Sequence, residues 1–287
     1  MINLLKVSFF KLRISFITRS LFLKKYQIHG FFSYNLLFST ESNIYKIPID
    51  NKSTLLKEIN NYKKVWSCFD LNHKEQIISC FKSNKNSNYL ILQKYIPISP
   101  SEYFDAFKYV FLSMSFLDKQ EKCSSKTLQN ISFSMKLFED NLQNSEFEIL
   151  KNRLDSILQN PLSLGLCHGD LHSRNIMKDK NNQYKIIDLD CFKFCSVRDV
   201  DIVYYVSELL WLENKQNWKD NLLTLLNDEN RFSNYFTLLQ LNLKDAIFIF
   251  FLERFGQDYF YYSEYSEFEF RKAYEYLYTI LNTNNNG

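Results

Sequence analysis

The sequence predicts an α+β chain in two parts, a small β-rich first lobe and a larger, mainly helical second lobe. Three observations predict it. The first third carries short apolar runs separated by turn residues, such as "NLLFS" and "NIYKIPI". The buried run "YLILQKYIP" meets Pro97, where a strand gives way to a new direction. From Ser101 onward, apolar residues recur every three or four positions. The boundary falls between residues 96 and 97, so the lobes are 1–96 and 97–287.

Taken in order, "KYQIHG" reads as a strand ending in a turn at Gly30. "NLLFS" and "NIYKIPI" read as two more strands, parted by the turn-like "TES". In "STLLKEINNYKKVW", Leu55, Ile59, Tyr62 and Trp66 share one helical face, with Ser53 or Thr54 as the N-cap. Helical spacing also runs through "SEYFDAFKYVFLSMSFLDK" and "FSMKLFEDNLQNSEFEILKNRLDSIL", before Pro161 and Gly165 break the chain. Two short strands follow, and "DVDIVYYVSELLWL" opens a helical region that continues to a polar tail.

The chain has 287 residues, enough for two lobes with cores of their own. Its net charge of +3 is too small to imply a nucleic-acid partner. The charge is uneven, however. Lys6, Lys11, Arg13, Arg19, Lys24 and Lys25 all precede the first acidic residue, Glu41. No uncharged run there is long enough to span a bilayer, and no signal-peptide cleavage pattern follows. Two readings of the segment stand: a packed element with solvated lysines, or a basic amphipathic stretch on an anionic membrane surface. The six cysteines form no C-x-x-C pair and no zinc-finger spacing. Scattered cysteines without an export signal predict a reducing, cytoplasmic setting, with the inner membrane surface as the place for any peripheral contact.

The stretch "LCHGDLHSRNIM" gathers two of the four histidines with Gly169, Asp170 and Asn175. A polar turn, "KDKNNQ", joins it to "YKIIDLD". The natural structure is a hairpin with Asp170 and Asn175 at its start and Asp188 at its end. A carboxylate and an amide oxygen make a hard, incomplete oxygen site. That suits Mg²⁺, which keeps waters and takes further ligands from phosphates. A second carboxylate nearby can accept a proton from an attacking hydroxyl. Metal, phosphate and base together describe phosphoryl transfer.

On "HGDLHSRNIM" and "IIDLD" the sequence resembles the aminoglycoside phosphotransferase and choline kinase family, relatives of the protein kinases. The resemblance implies a bilobal protein-kinase-like fold and an ATP-dependent kinase, with GTP as the other candidate nucleotide. It implies that Asp170 is the catalytic base and that Asn175 and Asp188 hold Mg²⁺, assisted by Asp190. His168 would brace the loop, and Asp201 in "DVDIVYY" would support it by hydrogen bonds. In the first lobe, Lys46 of "IYKIP" matches the lysine that contacts the nucleotide phosphates. Glu58 of "LLKEINNY" matches its helix partner. Gln93, Lys94 and Tyr95 would form the hinge beside the adenine.

The sequence departs from that pattern in two places. The phosphate-covering loop should be glycine-rich, but "HGFFSYN" holds Gly30 alone, with Ser33 as a further donor. The "SR" of the catalytic loop puts Arg174 beside the reaction centre, as a contact to a phosphate or acidic acceptor or as a surface arginine. The implied partner is a small-molecule hydroxyl acceptor: an aminoglycoside, an amino alcohol such as choline, a sugar or a cell-surface saccharide precursor. The last segment offers Tyr259, Tyr261, Tyr262, Tyr265, Glu264, Glu267, Glu269 and Glu275. They read either as a cation-binding surface or as an amphipathic helix with aromatics inward. The alternative function is a catalytically weak, pseudokinase-like nucleotide-binding module.

Overall fold

The computed structural model describes residues 27–32, 35–48, 52–68, 78, 81–83, 89–115, 119–121, 128–262 and 267–283. The chain divides into two compact units, Met1–Ile96 and Pro97–Gly287. Ser33 and the basic stretch from Lys6 to Lys25 lie outside the described residues, as do Cys80 and Cys123.

In the first unit, β1 (Gln27–Phe32), β2 (Asn35–Ser39), β3 (Asn43–Pro48), β4 (Phe81–Ser83) and β5 (Leu90–Gln93) form one sheet, in the order β1-β2-β3-β5-β4. All its pairings are antiparallel. Helix α1 (Lys52–Cys68) buries Leu55, Glu58, Ile59, Tyr62 and Val65. The apolar members of that set recur at three and four residues, as an amphipathic helix requires. The helix starts at Lys52, so Ser53 and Thr54 sit in its first turn rather than at its cap. Strand β1 also runs two residues beyond the turn expected at Gly30. That glycine pairs with Leu37 beside a register shift between Ile28 and Gly30. A glycine within a strand marks such irregularities as readily as a turn.

Strand β6 (Ile96–Pro97) marks the junction between the units. The second unit contains α2 (Tyr103–Met114), β7 (Lys119–Glu121), α3 (Gln129–Asn141), α4 (Asn144–Leu158), β8 (Leu162–Cys167), β9 (Ile176–Lys178), β10 (Tyr184–Ile186) and β11 (Lys193–Val197). Helices α5 (Asp199–Asn214), α6 (Trp218–Asn227), α7 (Ser233–Phe236), α8 (Leu243–Tyr262) and α9 (Glu267–Asn282) complete it. Lys119 belongs to β7, not to the helix before it, and pairs with Leu164 of β8. The long helical stretch after Phe133 is two helices. They part at Leu142–Gln143, where the Glu146 side chain accepts from the Gln143 amide in a capping box. Gly165 does not break the chain either. It lies inside β8, opposite Ser196 of β11.

Two helices carry the core of this unit. Residues 199–207 of α5 are all buried, as are 246–253 of α8. Helices apolar on every side belong in the interior. Helices α3 and α8 approach closely at Gly256, where a Cβ would lie 2.4 Å from the Asn130 carbonyl oxygen. Ser134 Oγ donates to the Leu252 carbonyl at 2.5 Å and Asn130 Nδ2 to Glu253 Oε1 at 2.7 Å, which satisfies polar groups at the contact. Arg198, 1% exposed, donates to the carbonyls of Leu166 and Phe111, and its guanidinium lies 4.1 Å from the Phe111 ring centroid.

Arg198→Met would leave both carbonyls buried without their donor. We expect it to lower the unfolding free energy by about 3 kcal/mol or more, read from urea titration.

Candidate active site

Backbone geometry brings together His168, Asp170, Asn175 and Asp201 of the sequence-predicted residues. Strand β8 is buried along its whole length and delivers His168, Gly169 and Asp170 at its end. Asp201, in the first turn of α5 and fully buried, accepts the His168 amide at 2.8 Å and the Gly169 amide at 3.0 Å. A carboxylate there also suits the positive end of the helix dipole. Gly169 sits at φ +75, and a Cβ on it would lie 2.4 Å from the Cys191 carbonyl oxygen. Only glycine satisfies both conditions.

The expected hairpin forms, with β9 and β10 antiparallel and Ile186 opposite Ile176. Asp179 holds its turn by accepting the amides of Asn181 and Gln183 at 2.8 and 2.9 Å. Two contacts then tie the end of the hairpin to its start. The Ile187 amide donates to the Asn175 carbonyl at 3.0 Å, and His168 Nε2 lies 2.8 Å from the Ile187 carbonyl. A carbonyl only accepts, so the His168 proton is on Nε2. Asp188 follows in the left-handed region, φ 62 and ψ 63, and Asp190 lies in the single turn Leu189–Cys191. Aspartate tolerates that backbone better than most side chains, and such conformations gather at functional sites.

Asn175 is buried, and its Nδ2 donates to the Asp170 carbonyl at 2.9 Å. Its oxygen is therefore the atom left for coordination. One amide oxygen and one carboxylate fit a Mg²⁺ that completes its shell with water and phosphate. Among the described residues, no three His, Cys, Asp or Glu form a self-contained metal cage.

Several residues at Asp170 were not signalled by the sequence pattern. Tyr204 donates its hydroxyl to Asp170 Oδ1 at 2.5 Å, and Arg254 Nη1 lies 3.7 Å from the same oxygen. Tyr204 stands three residues after Asp201, so helical spacing could have found it. Arg254 is on α8, and nothing local in the sequence points to it. His172 Nε2 lies 3.7 Å from Asp170 Oδ2. Burial pushes the His172 imidazole down to about 4, with Asp170 opposing and Arg174 assisting, so it is neutral near pH 7. Arg174 pairs with Glu208 at 3.1 Å and lies 5.4 Å from the Trp211 ring centroid. Burial raises the Glu208 carboxyl, against the pull of Arg174.

In the first unit, Lys46 of β3 pairs with Glu58 of α1, at 2.9 Å to Oε1 and 3.1 Å to Oε2. Their side chains are 12% and 2% exposed. Gln93 ends β5 opposite Asn43, Lys94 donates its amide to the Ser42 carbonyl at 2.8 Å, and Tyr95 is buried. Of the last segment's acidic candidates, Glu275 lies 3.8 Å from Arg271 and Glu269 is part-buried. Glu264 and Tyr265, and the side chains of Tyr259, Tyr261, Tyr262 and Glu267, lie outside the described residues. Cys68, Cys167, Cys191 and Cys195 form no disulfide. Among the described residues, no helix is long and apolar enough to cross a membrane.

Known structures share this architecture. Aminoglycoside phosphotransferase APH(4)-Ia, as a thermostable mutant in ternary complex with ADP and hygromycin B, is similar over 95% of this chain and 99% of its own, with TM-score 0.59 and 9% identity. ADP-bound aminoglycoside phosphotransferase APH(2'')-Ib matches over 93% and 96%, with TM-score 0.55 and 13% identity. A choline/ethanolamine kinase family protein from Mesorhizobium loti matches over 91% and 89%, with TM-score 0.51 and 11% identity. No family model and no curated protein matches the sequence. The likeness is one of fold: the chain has a protein-kinase-like fold, with a small antiparallel sheet in its first unit and a mainly helical second unit.

Two predictions follow from the geometry of the loop. Gly169→Ala forces a methyl group onto the Cys191 carbonyl and a strained φ worth about 1–2 kcal/mol by itself. We expect a lower melting temperature and loss of any nucleotide-dependent stabilisation. For His172, the folded chain holds the neutral ring down to about pH 4, while an unfolded histidine protonates near about 6.5. The unfolded state therefore binds more protons between those limits. This contribution to stability is complete above about pH 6.5 and is lost as pH falls toward 4. In scans across that window without nucleotide, His172→Gln should lose less melting temperature than the wild type.

Proposed function

We infer that the chain is a Mg-ATP-dependent kinase that transfers the γ-phosphate to a hydroxyl of a small molecule. One observation carries the reading. The closed set of contacts from Asp201 through His168 and Ile187 to Asn175 holds Asp170 at one side of a hairpin and leads into Asp188 at the other. In the reaction, the acceptor oxygen bonds to the γ-phosphorus and the bridging P–O bond breaks. ADP leaves with that electron pair, and the hydroxyl proton goes to Asp170. Asn175 and Asp188, with Asp190 assisting, would hold a Mg²⁺, which would neutralise the phosphate charge. Lys46, fixed by buried Glu58, is the phosphate-contacting cation. A buried pair is costly to desolvate and stabilises little, which favours a positioning role over a structural one. Ser33 and the backbone from Gln93 to Tyr95 are the remaining nucleotide contacts, with the Lys94 amide already engaged by Ser42. ATP is the proposed donor, with GTP the other nucleotide to test.

The fold neighbours with ADP, one of them also holding hygromycin B, support a nucleotide and a small-molecule acceptor. Gly30 paired within a strand, in place of a glycine-rich loop, supports the second reading, a nucleotide-binding module with weak transfer.

The test is thermal. A ligand at a hundred times its dissociation constant stabilises by about 2.7 kcal/mol. We expect Mg-ATP to raise the melting temperature by a few degrees, and Asp188→Ala to lose that rise. Asp170→Asn should keep it while transfer across a panel of hydroxyl acceptors falls about 10²–10⁴-fold. A Mg-dependent rise with no transfer to any acceptor would select the second reading. Transfer by Asp170→Asn at the wild-type rate would reject Asp170 as the base.

A further inference from the structure

We propose that Tyr204 and Arg254 are positioning residues that bind one oxygen of the Asp170 carboxylate, so that the other, Oδ2, receives the acceptor's proton. The inference rests on the reading of Asp170 as the base. Its starting point is an asymmetry. Oδ1 accepts the Tyr204 hydroxyl at 2.5 Å and lies 3.7 Å from Arg254 Nη1. Among the described residues, Oδ2 accepts no hydrogen bond, and His172 Nε2 lies 3.7 Å from it. The Asp170 side chain is 26% exposed, so the carboxylate is open to an incoming hydroxyl.

The two positioning groups are themselves fixed. Tyr204 is 7% exposed, and its ring packs 6.0 Å from Phe250. Arg254 lies with its guanidinium 5.1 Å from the Tyr204 ring centroid and its Nε 3.0 Å from Asp258 Oδ1. Its Nε and Nη1 are both buried and make no hydrogen bond, so the guanidinium is held by charge alone, a costly state unless the adjacent carboxylates of Asp258 and Asp170 use it. Burial raises the Tyr204 hydroxyl well above its ordinary range, so it stays a donor. Burial opposes the Arg254 charge, but Tyr204, Asp258 and Asp170 outweigh it, and the guanidinium stays protonated. A donor and a cation on one oxygen arrest rotation of the carboxylate. A one-ångström misplacement of a reacting group can cost about a hundredfold in rate, so this orientation matters to the chemistry.

Release of inorganic phosphate from Mg-ATP, with water as the acceptor, tests this without knowledge of the natural acceptor. Rates are normalised to nucleotide-binding sites, which removes any unfolded fraction. Tyr204→Phe keeps the ring and deletes only the donor. We expect kcat to fall about tenfold with KM for ATP unchanged, the pattern of an interaction used only in the transition state. Arg254→Lys should retain more activity than Arg254→Met. Because both residues act through Asp170, adding Tyr204→Phe to Asp170→Asn should slow that variant no further. Tyr204→Phe at full speed, beside an inactive Asp170→Asn, overturns the inference and leaves the kinase reading standing. The same holds if Tyr204→Phe slows Asp170→Asn by the factor it costs the wild type. Asp170→Asn at full speed, or a wild type that releases no phosphate, removes the base and this inference together.

Discussion

One buried carboxylate organises the second unit. Asp201 has no exposed surface and accepts two consecutive backbone amides, those of His168 and Gly169. A desolvated charge is expensive unless fully hydrogen-bonded, so helix and loop are each stable only in the other's presence. The left-handed turn at Gly169 follows, because both amides must face the same carboxylate. From that turn follow the direction of Asp170 and the approach of Asn175. The hairpin, tied back through Ile187, then brings Asp188 to the same region. A chain of short-range constraints, each satisfied by a neighbour's backbone, thus fixes side chains that are far apart in sequence.

The sequence disclosed the loop and the hairpin because their chemistry is local. His168, Gly169, Asp170 and Asn175 lie within eight positions, and their residue types are unusual in a chain otherwise rich in Phe, Tyr, Asn and Lys. Lys46 and Glu58 were legible only through the resemblance, since a strand lysine and a helix glutamate are ordinary when read alone. Tyr204 and Arg254 stayed hidden for a different reason. Tyr204 is one turn beyond Asp201 on a buried helical stretch, where an aromatic reads as core, and Arg254 sits on another helix with no motif beside it. Their meaning comes from the crossing of α5 and α8, a tertiary fact. The errors in element boundaries share a cause. Gly30 and Gly165 read as breaks, yet each lies in a strand, because glycine serves close pairing as well as turning.

The two units treat charge in contrasting ways. Among the described residues, the first pairs Lys46 of its sheet with the buried Glu58 of its helix. The second distributes ions around Asp170 so that most are paired: Arg174 with Glu208, and Arg254 with Asp258. Near neutrality of the surroundings would suit a carboxylate in the proposed role of base, which receives and releases a proton in each cycle. A large field of either sign would bind that proton too tightly or refuse it.

The all-round burial of α5 has a dynamic consequence. The His168 and Gly169 amides are bonded to a side chain on a helix buried all round over residues 199–207, not to the surface of the unit. Release of their hydrogens requires that helix to leave the core, so their protection from exchange is expected to match the free energy of global opening of the unit. The loop's order is inherited from the core, and a substitution far inside α5 or α8 reaches Asp170 by changing how often the whole unit opens.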